Sequence, residues 1–200
     1  MLIIGLTGNI GCGKSSLSQI FADKNIKIID ADIIAREIYN DKKLLNRVYE
    51  LFGEGIKNED GSLNRKALGK IVFNDDEKLI KLNELTHPVV RENVKSKIDE
   101  YKNQNEDTLI LDAALLIEAN YLDLVDKLLV VTCREDVQIE RIKKRDNCSR
   151  EDALSRIKSQ MDQEEKVKYA DYIIDNSGTI DDLRKKAFIF MDYIKEKCSE

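Results

Sequence analysis

LIIGLTGNIGCGKSSLSQIF, residues 2–21, places a glycine-rich loop between an apolar run and an amphipathic segment. The run Leu2–Leu6 has the length of a short buried strand, whereas Leu17 and Ile20 recur at helical spacing. Between them, GNIGCGKS at residues 8–15, hereafter the phosphate loop, fits the GxxxxGK[ST] pattern of loops that bind nucleotide phosphates. Strand, loop and helix in this order are the context that the pattern requires, so the sequence predicts a nucleoside triphosphate site.

Each residue type in the phosphate loop has a physical task. Glycines let successive backbone N–H groups turn inward around phosphate oxygens, and the following helix adds the partial positive charge of its N-terminus. Lys14 can reach the β- and γ-phosphates, and the Ser15 hydroxyl can ligate Mg²⁺. A purely structural glycine-rich turn is the alternative interpretation. A dinucleotide-binding G-x-G-x-x-G loop is excluded, because it places neither Lys nor Ser at these positions.

The phosphate loop alone does not identify the reaction. A GTPase needs a guanine-reading NKxD-type segment, and the sequence contains none. DNSG at residues 175–178 matches the DxxG pattern, but it follows the last predicted strand, so we interpret it as a strand end and turn. The sequence also lacks internal repeats, which argues against a large mechanochemical ATPase. A small ATP-dependent kinase is the remaining class.

Four further short apolar runs predict strands, and they lie at residues 26–29, 108–111, 128–132 and 172–174. Because helical segments separate them, we predict a doubly wound α/β fold with a parallel five-stranded sheet covered on both faces. Within this single domain we expect the following parts: a core of residues 1–36, 102–133 and 169–200, a helical insert at about 37–101, and a helical lid at about 134–168 that is broken near 147–149.

The composition suits one globular domain that acts on small molecules. Of the 200 residues, 42% are hydrophobic, which is enough to bury a core without disulfide or metal staples. A net charge of −5 argues against nucleic-acid binding. Acidic residues interrupt the longest apolar stretch, near residues 109–129, so no membrane span is expected, and no obligate protein partner is evident.

The cysteines indicate a reducing compartment. Cys12, Cys133, Cys148 and Cys198 are scattered, and they form neither a CxxC pair nor a cluster with histidine. A disulfide framework or a structural zinc site is therefore not expected. A cytoplasmic location is expected instead.

Acidic residues follow the second and third predicted strands, and ligands of open α/β sheets collect at such strand ends. We favour a functional role for Asp32, which could activate an acceptor hydroxyl or hold a Mg²⁺-bound water. The alternative is that Asp30 caps the next helix and Asp32 is a solvated residue of its first turn. Asp112 ends the third strand, where P-loop enzymes often place a metal-binding acid.

Three more residues are candidates for the site. His87 is the only histidine and precedes Pro88 at a predicted helix start, and a structural and a functional role stay equally open for it. Arg141 and Arg145 lie one turn apart on one face of a predicted lid helix. Charges on helices are usually solvated, but a phosphate loop upstream favours a clamp on the transferring phosphoryl oxygens.

Together with their flanking segments, these candidate residues make the chain resemble the dephospho-CoA kinase family over essentially its whole length. The resemblance is carried, in the family's order and at about its spacings, by LTGNIGCGKSS (6–16), IIDADIIAR (28–36), THPVVRE (86–92), LDAALLIEANY (111–121), IERIKKRDNCSREDALSRIKSQM (139–161) and ADYIIDNSG (170–178). The first segment is shared by many kinases. The IDAD segment, followed by HP and then by the acid–LL–acid segment, is much more specific.

The resemblance implies a P-loop kinase fold with a helical acceptor-binding insert and a lid, Mg-ATP as donor, and the ribose 3′-hydroxyl of dephospho-CoA as acceptor. Expected ATP contacts are Gly8, Gly11, Cys12, Gly13, Lys14, Ser15, Ser16 and Arg141. Catalytic roles are expected for Asp32, Lys14, Arg141 and Arg145. Acceptor binding is expected for Asp32, Arg36, His87 and Glu118. Mg²⁺ is expected at Ser15, with Asp32 or Asp112 acting through water.

The sequence departs from the family's pattern in places. Asn9 stands where a second glycine is common, Cys12 where serine or a similar residue is, and Ser16 where threonine is. Ala114 replaces a proline that usually precedes the double leucine, so we expect a looser turn there without loss of chemistry.

Two alternative functions stay open from the sequence. A P-loop kinase could act on another nucleotide or on a small-metabolite hydroxyl, although the long helical insert and the DAD segment suit a large acceptor. A regulatory or assembly protein could only sense or hydrolyse ATP, and it would show ATPase activity without any acceptor.

Overall fold

The computed structural model describes the backbone of residues 1–198 and the side chains of residues 1–196, so the side chain of Cys198 lies outside the described residues. Its five parallel strands are β1 (Leu2–Gly8), β2 (Lys27–Asp30), β3 (Thr108–Asp112), β4 (Lys127–Thr132) and β5 (Tyr172–Asp175). All five predicted strands are confirmed, and each is in its predicted position to within about two residues.

The strand order β2-β3-β1-β4-β5 places β1 at the centre of the sheet. Its neighbours β3 and β4 come from later parts of the chain, and every connection between parallel neighbours is a crossover that contains helix. Residues Ile3–Gly8 of β1 are all buried, as expected for a strand covered on both faces. The doubly wound parallel class is therefore confirmed, and the phosphate loop starts at the carboxyl end of the central strand.

Nine α-helices lie within the described residues: α1 (Lys14–Ala22), α2 (Ala31–Glu37), α3 (Lys42–Phe52), α4 (Arg65–Val72), α5 (Asp76–Asn103), α6 (Glu135–Asp146), α7 (Arg150–Lys158), α8 (Gln163–Val167) and α9 (Ile180–Cys198). Helices α1 and α9 pack on the sheet through a core that includes Leu17, Phe21 and Phe190. None of the described helices is both long enough and apolar enough to cross a bilayer.

Two compact units divide the chain, one of residues 1–30 and 98–200, the other of residues 31–97. The second unit begins at Ala31, where α2 follows β2 without a loop. It is helical, and its one strand-like feature in the described residues is an isolated bridge between Lys57 and Leu63. Asp41 and Asn64 cap α3 and α4 by accepting hydrogen bonds from backbone N–H groups.

The predicted helix start at Pro88 is wrong, because Pro88 lies inside the 28-residue helix α5. A proline in a helix interior removes one backbone hydrogen bond and costs about 3 kcal/mol. Leu82 and Leu85 before it, and Val90 and Val94 after it, are all buried. Since burying one such side chain contributes roughly 1.5–3 kcal/mol, packing outweighs the break and the helix continues.

Helices α6 and α7 form a hairpin. Asn147 follows the last residue of α6 and adopts the left-handed conformation with φ 48°, and Ser149 begins α7 through a reciprocal capping box with Asp152. The predicted break near residues 147–149 therefore lies between α6 and α7. Ile139 and Ile142 of α6 join the two helices in a small apolar cluster.

Candidate active site

The phosphate loop connects the last residue of β1 to the first residue of α1, so the predicted strand, loop and helix context is confirmed. Gly13 takes the N-cap position of α1 with φ 89°, and no side chain among the described residues caps this helix. The backbone N–H groups of Ser16 and Leu17 bond to the Gly13 carbonyl. An uncapped helix start after a glycine-rich turn presents N–H donors and positive charge to an anion.

Only glycine fits at position 13. A Cβ built there would lie 2.2 Å from Nδ2 of Asn176, and the positive φ would strain any side chain as well. The contact arises because Asn176, which is 5% exposed, donates from Nδ2 to the Cys12 carbonyl at 2.8 Å. Its own backbone N–H donates to Thr132 at the end of β4. Asn176 thus fixes the phosphate loop against two strand ends.

From the sequence, Asn176 is predicted only to be part of a strand end and turn. That interpretation of residues 175–178 is correct, since β5 ends at Asp175, but it missed the support that Asn176 gives to the loop. The signal was the position of DNSG in the sequence. It follows a predicted parallel strand, so it lies at the carboxyl ends of the strands, where the phosphate loop also begins.

We expect Asn176→Ala to destabilise the protein by about 1–3 kcal/mol, because the buried Cys12 carbonyl would lose its donor. ATP affinity should fall by roughly 10-fold as the loop relaxes, since displacements near 1 Å already have large effects at such sites. Thermal unfolding and an ATP titration measure the two effects.

Asn74→Ala is the matched control, because the exposed Asn74 amide also donates to a backbone carbonyl, that of Lys70. This control should change neither property. An Asn176→Ala protein with unchanged ATP affinity would remove Asn176 from loop support.

Asp112 connects the end of β3 to the start of α1. One carboxylate oxygen accepts a hydrogen bond from Lys14 Nζ and the other from the Ser18 hydroxyl. Asp112 is 2% exposed, and this burial raises its pKa, although the Lys14 charge and the hydrogen bonds from Lys14 and Ser18 oppose the change. Lys14 and Asp112 therefore form one charged unit beside the loop.

Arg141 lies next to the phosphate loop. Its Nη2 donates to the Gly178 carbonyl at 3.5 Å, and its Nη1 lies 3.8 Å from the point where a Cβ on Gly13 would be. Nη1 is buried, and it has no hydrogen-bond partner among the described residues. A guanidinium nitrogen in that situation is suited to an anionic oxygen.

Arg145 is engaged elsewhere. Its Nε and Nη2 donate to the two carboxylate oxygens of the adjacent Asp146, at 2.7 and 2.9 Å, and Arg156 contacts the same carboxylate. This paired geometry holds the pKa of Asp146 below its usual range. The structure thus brings Arg141 to the phosphate loop and keeps Arg145 in an ion pair on α6.

Residues of the segment 134–168 hold the first half of the phosphate loop through hydrogen bonds. The backbone N–H of Ile10 donates to Gln160 Oε1 at 2.8 Å, and Gln138 Nε2 donates to the Ile10 carbonyl at 2.5 Å. Asn9 Nδ2 donates to the Met161 carbonyl at 2.9 Å. The Asn9 side chain therefore joins the phosphate loop to Met161, a contact that glycine could not make.

The turn after β3 is held by a buried lysine. Lys166 of α8 is fully buried, and its Nζ donates to the Ala114 carbonyl at 2.8 Å and lies 3.0 Å from Glu118 Oε1. The Thr7 hydroxyl also donates to the Ala114 carbonyl, at 3.1 Å. Two donors therefore fix the Ala114 carbonyl, and the looser turn expected from the absence of proline stays a prediction. The Lys166 ammonium also orients the Glu118 carboxylate.

The remaining predicted residues lie in the second compact unit. Asp32 is in the first turn of α2 and is partly buried, and Arg36 is in its last turn. The Arg36 carbonyl accepts a hydrogen bond from Arg65 Nη2. His87 is exposed in the middle of α5.

A cavity of about 360 Å³ lies beside the segment that follows β5. Its lining residues are Arg134, Asp175, Ser177, Gly178, Asp182, Lys185 and Lys186. Gly178 belongs to this lining and its carbonyl accepts the hydrogen bond from Arg141, so one residue links the cavity to the arginine beside the phosphate loop.

The site offers few candidate ligands for a metal. No group of three or more His, Cys, Asp or Glu side chains that could hold an ion occurs in the described part of the chain. Mg²⁺ commonly takes only one or two protein ligands and fills its shell with phosphate oxygens and water. The exposed hydroxyl of Ser15 and the Asp112 carboxylate are oxygen donors of the kind that Mg²⁺ prefers.

Comparison with known proteins points to one family. A sequence model described as dephospho-CoA kinase matches residues 2–182. The dephospho-CoA kinase of Bacillus thuringiensis subsp. konkukian is 46% identical over 180 residues, which are 90% of this chain and 90% of that protein. The dephospho-CoA kinase of Carboxydothermus hydrogenoformans is 44% identical over 196 residues, which are 98% of this chain and 95% of that protein.

Solved structures agree with these relatives. The dephospho-CoA kinase from Campylobacter jejuni superimposes with a TM-score of 0.75 at 30% identity, over 98% of both chains. A Thermus thermophilus protein gives a TM-score of 0.82 at 31% identity, over 96% of this chain and 97% of that one. A shikimate kinase from Bacteroides thetaiotaomicron, at 16% identity and a TM-score of 0.56 over 97% and 98% of the two chains, shares the fold alone.

Proposed function

The chain belongs to the dephospho-CoA kinase family, and we propose from this membership that it transfers the γ-phosphoryl group of ATP to the ribose 3′-hydroxyl of dephospho-CoA, giving CoA and ADP. The match over residues 2–182 carries the proposal, and the intact phosphate loop supports it. The proposed substrates are two small molecules, with no nucleic acid and no obligate protein partner. A cytoplasmic location, expected from the scattered cysteines, belongs to the same proposal.

Donor binding is proposed to use the phosphate loop. Its backbone N–H groups and the start of α1 would surround the phosphates, with contacts from Gly8, Gly11, Cys12, Gly13, Lys14, Ser15 and Ser16. Lys14 would carry positive charge to the γ-phosphate, where charge develops during transfer. The adjoining cavity, which is lined by Arg134 and Ser177 among others, offers room for the nucleoside part of ATP.

Mg²⁺ is proposed to bind at Ser15, with Asp112 or Asp32 acting through water. When bound, the ion would neutralise charge on the β- and γ-phosphate oxygens. Asp112 would keep Lys14 and Ser18 in place, because each of its carboxylate oxygens holds one of them.

Acceptor binding is proposed for Asp32, Arg36, His87 and Glu118. Asp32 would accept the proton of the attacking hydroxyl or orient that hydroxyl, since a carboxylate can do either. Lys166 supports the proposal for Glu118, because the buried ammonium limits the directions that this carboxylate can take. The unit of residues 31–97 is proposed as the main acceptor-binding region, and residues 134–168 as the lid.

The lid arginines are proposed to stabilise the transferring phosphoryl group. We expect Arg141→Ala to lower kcat by about 10²–10³-fold, which is the usual effect of removing one donor to developing negative charge. Arg145→Ala should lower kcat by roughly 10-fold or less, because the Arg145 guanidinium is shared with Asp146. Steady-state rates with saturating ATP and dephospho-CoA test this difference.

Arg150→Ala is the control for the lid, since Arg150 is exposed at the start of α7. Its turnover should equal that of the unmodified enzyme. Equal losses for Arg141→Ala and Arg145→Ala would contradict the distinction drawn from the structure.

An ADP-release assay with and without dephospho-CoA tests the proposed function. We expect ADP release to depend on dephospho-CoA, with one 3′-phosphate formed per ADP, as measured by ³¹P NMR of the product. Nucleoside monophosphates and small-metabolite alcohols should be much poorer acceptors. ADP release that is equal without any acceptor would indicate an ATP-hydrolysing regulatory protein, and faster transfer to another acceptor would identify a different kinase.

A further inference from the structure

Two cysteine thiols meet at the phosphate loop. Cys12 lies within the loop and Cys133 directly follows β4, yet their Sγ atoms are 3.5 Å apart. Both are free, and they are 0% and 2% exposed. Sulfurs at this distance are in contact, and a disulfide would need them to approach to about 2.05 Å.

The surroundings of this pair hold both thiols in place. Gln163 Oε1, at the start of α8, accepts hydrogen bonds from Cys12 Sγ at 3.4 Å and from the Cys133 backbone N–H at 3.0 Å. Cys133 Sγ also lies 3.9 Å from the Gly11 carbonyl. The hydrogen bond between the two thiols lowers the pKa of Cys133, helped by the positive charge of Arg141 and opposed by burial, and the same hydrogen bond together with burial raises the pKa of Cys12.

We propose that Cys12 and Cys133 form an oxidisable dithiol site, which a peroxide-class oxidant converts into a disulfide that reversibly weakens nucleotide binding. The proposal rests on the proposed function only in using ATP affinity as one readout. The disulfide itself can be detected whatever the acceptor of the enzyme is.

The chemistry balances with hydrogen peroxide as the oxidant. The Cys133 sulfur attacks one peroxide oxygen, the O–O bond breaks, and a sulfenic acid and one water form. The Cys12 sulfur then attacks the sulfenic sulfur, so that the S–S bond forms, the S–O bond breaks and a second water leaves. The two thiols lose two electrons and two protons in total. A dithiol such as dithiothreitol reverses the reaction by thiol–disulfide exchange.

The consequence for the loop follows from its packing. Cys12 lies between Gly11 and Gly13, and its carbonyl is fixed by Asn176. Its side chain belongs to the main core cluster, so it has little room to rotate alone. Closing a gap of about 1.5 Å to bonding distance must therefore move the loop backbone. Because the same backbone presents N–H groups to phosphate, ATP affinity should fall by about 10–100-fold.

Burial sets the rate of this reaction. Cys148 is more exposed than either thiol of the pair, so it should react with peroxide first. Oxidation of Cys12 and Cys133 requires local opening around α8 and should follow more slowly. Because Cys148 should be oxidised faster than the Cys12–Cys133 pair, the other cysteines are removed before the test.

The parent protein for the test is a Cys148→Ser/Cys198→Ser variant, which keeps only the proposed pair. It is treated with hydrogen peroxide, blocked with N-ethylmaleimide and digested, and the peptides are analysed by mass spectrometry. We expect a cross-link between the Cys12 and Cys133 peptides. Titration with a fluorescent ATP analogue should give a Kd at least 10-fold higher after oxidation, and dithiothreitol should restore the original value.

Cys133→Ser in the same parent is the matched variant, because it removes one partner outside the phosphate loop. It should bind the ATP analogue normally and keep that affinity after peroxide treatment. Absence of the cross-link, a cross-link without a change in Kd, or an equal loss of affinity in Cys133→Ser would each overturn the proposal. If Cys133→Ser does not fold, the cross-link and its reversal in the parent still decide the question.

Discussion

Lys14→Ala is expected to lower kcat/KM for ATP by more than ~10³-fold, which is a larger loss than that expected for Arg141→Ala or Arg145→Ala. The reason is the position of the Lys14 ammonium group. Lys14 is the first residue of α1, where the ammonium adds to the positive end of the helix and to the N–H groups of the loop. Steady-state kinetics with ATP as the varied substrate measures the loss.

The same substitution should also affect stability, because it leaves the Asp112 carboxylate buried without its cation. Breaking a buried pair in this way costs about 3 kcal/mol. The double variant Lys14→Ala/Asp112→Asn removes both charges, so it should regain most of the lost stability and none of the lost turnover. If the double variant recovered turnover as well, the effect of Lys14 would be structural. A loss equal to that of Arg141→Ala would mean that the lid holds most of the γ-phosphate charge.

Asp32→Asn is expected to lower turnover by about 10²–10⁴-fold while ATP affinity stays the same, if Asp32 accepts or orients the acceptor proton. Asparagine has nearly the same shape as aspartate but cannot take a proton. ATP titration and kcat, measured on the same protein, separate the two effects.

Asp41→Asn is a close control for Asp32→Asn. Asp41 lies in the same compact unit and caps α3 by accepting from the Lys43 backbone N–H, a task that asparagine performs equally well. It should leave both stability and turnover unchanged. If the turnover of Asp32→Asn equals that of Asp41→Asn, Asp32 has no catalytic role and is only an acidic residue in the first turn of α2.

The sheet could be predicted because its signals are local. Each strand is a short apolar run, and the phosphate loop and the capped start of α7 at Ser149 have recognisable patterns within a few residues. Pro88 shows the limit of that method. A proline is a local signal to break a helix, but the burial that overrides it at Leu85 and Val94 depends on the tertiary structure.

The candidate site was predicted in part for the same reason. Lys14, Ser15 and Arg141 follow from a motif or from helical spacing. The support of the loop by Asn176, and the contact between the two buried thiols, join residues more than a hundred positions apart. A sequence pattern within one segment cannot predict a contact between residues so far apart in the chain. The ion pair of Arg145 with Asp146 was missed for another reason, since several neighbours compete for one guanidinium and only geometry selects among them.

The central position of β1 has a consequence for synthesis of the protein. This strand is synthesised before its partners β3 and β4, which begin only at Thr108 and Lys127. At about 5–20 residues per second, β1 stays without these partners for on the order of 10 seconds. During that interval the apolar strand is a target for chaperones and for aggregation, and the phosphate loop cannot take its final position until β4 has been made.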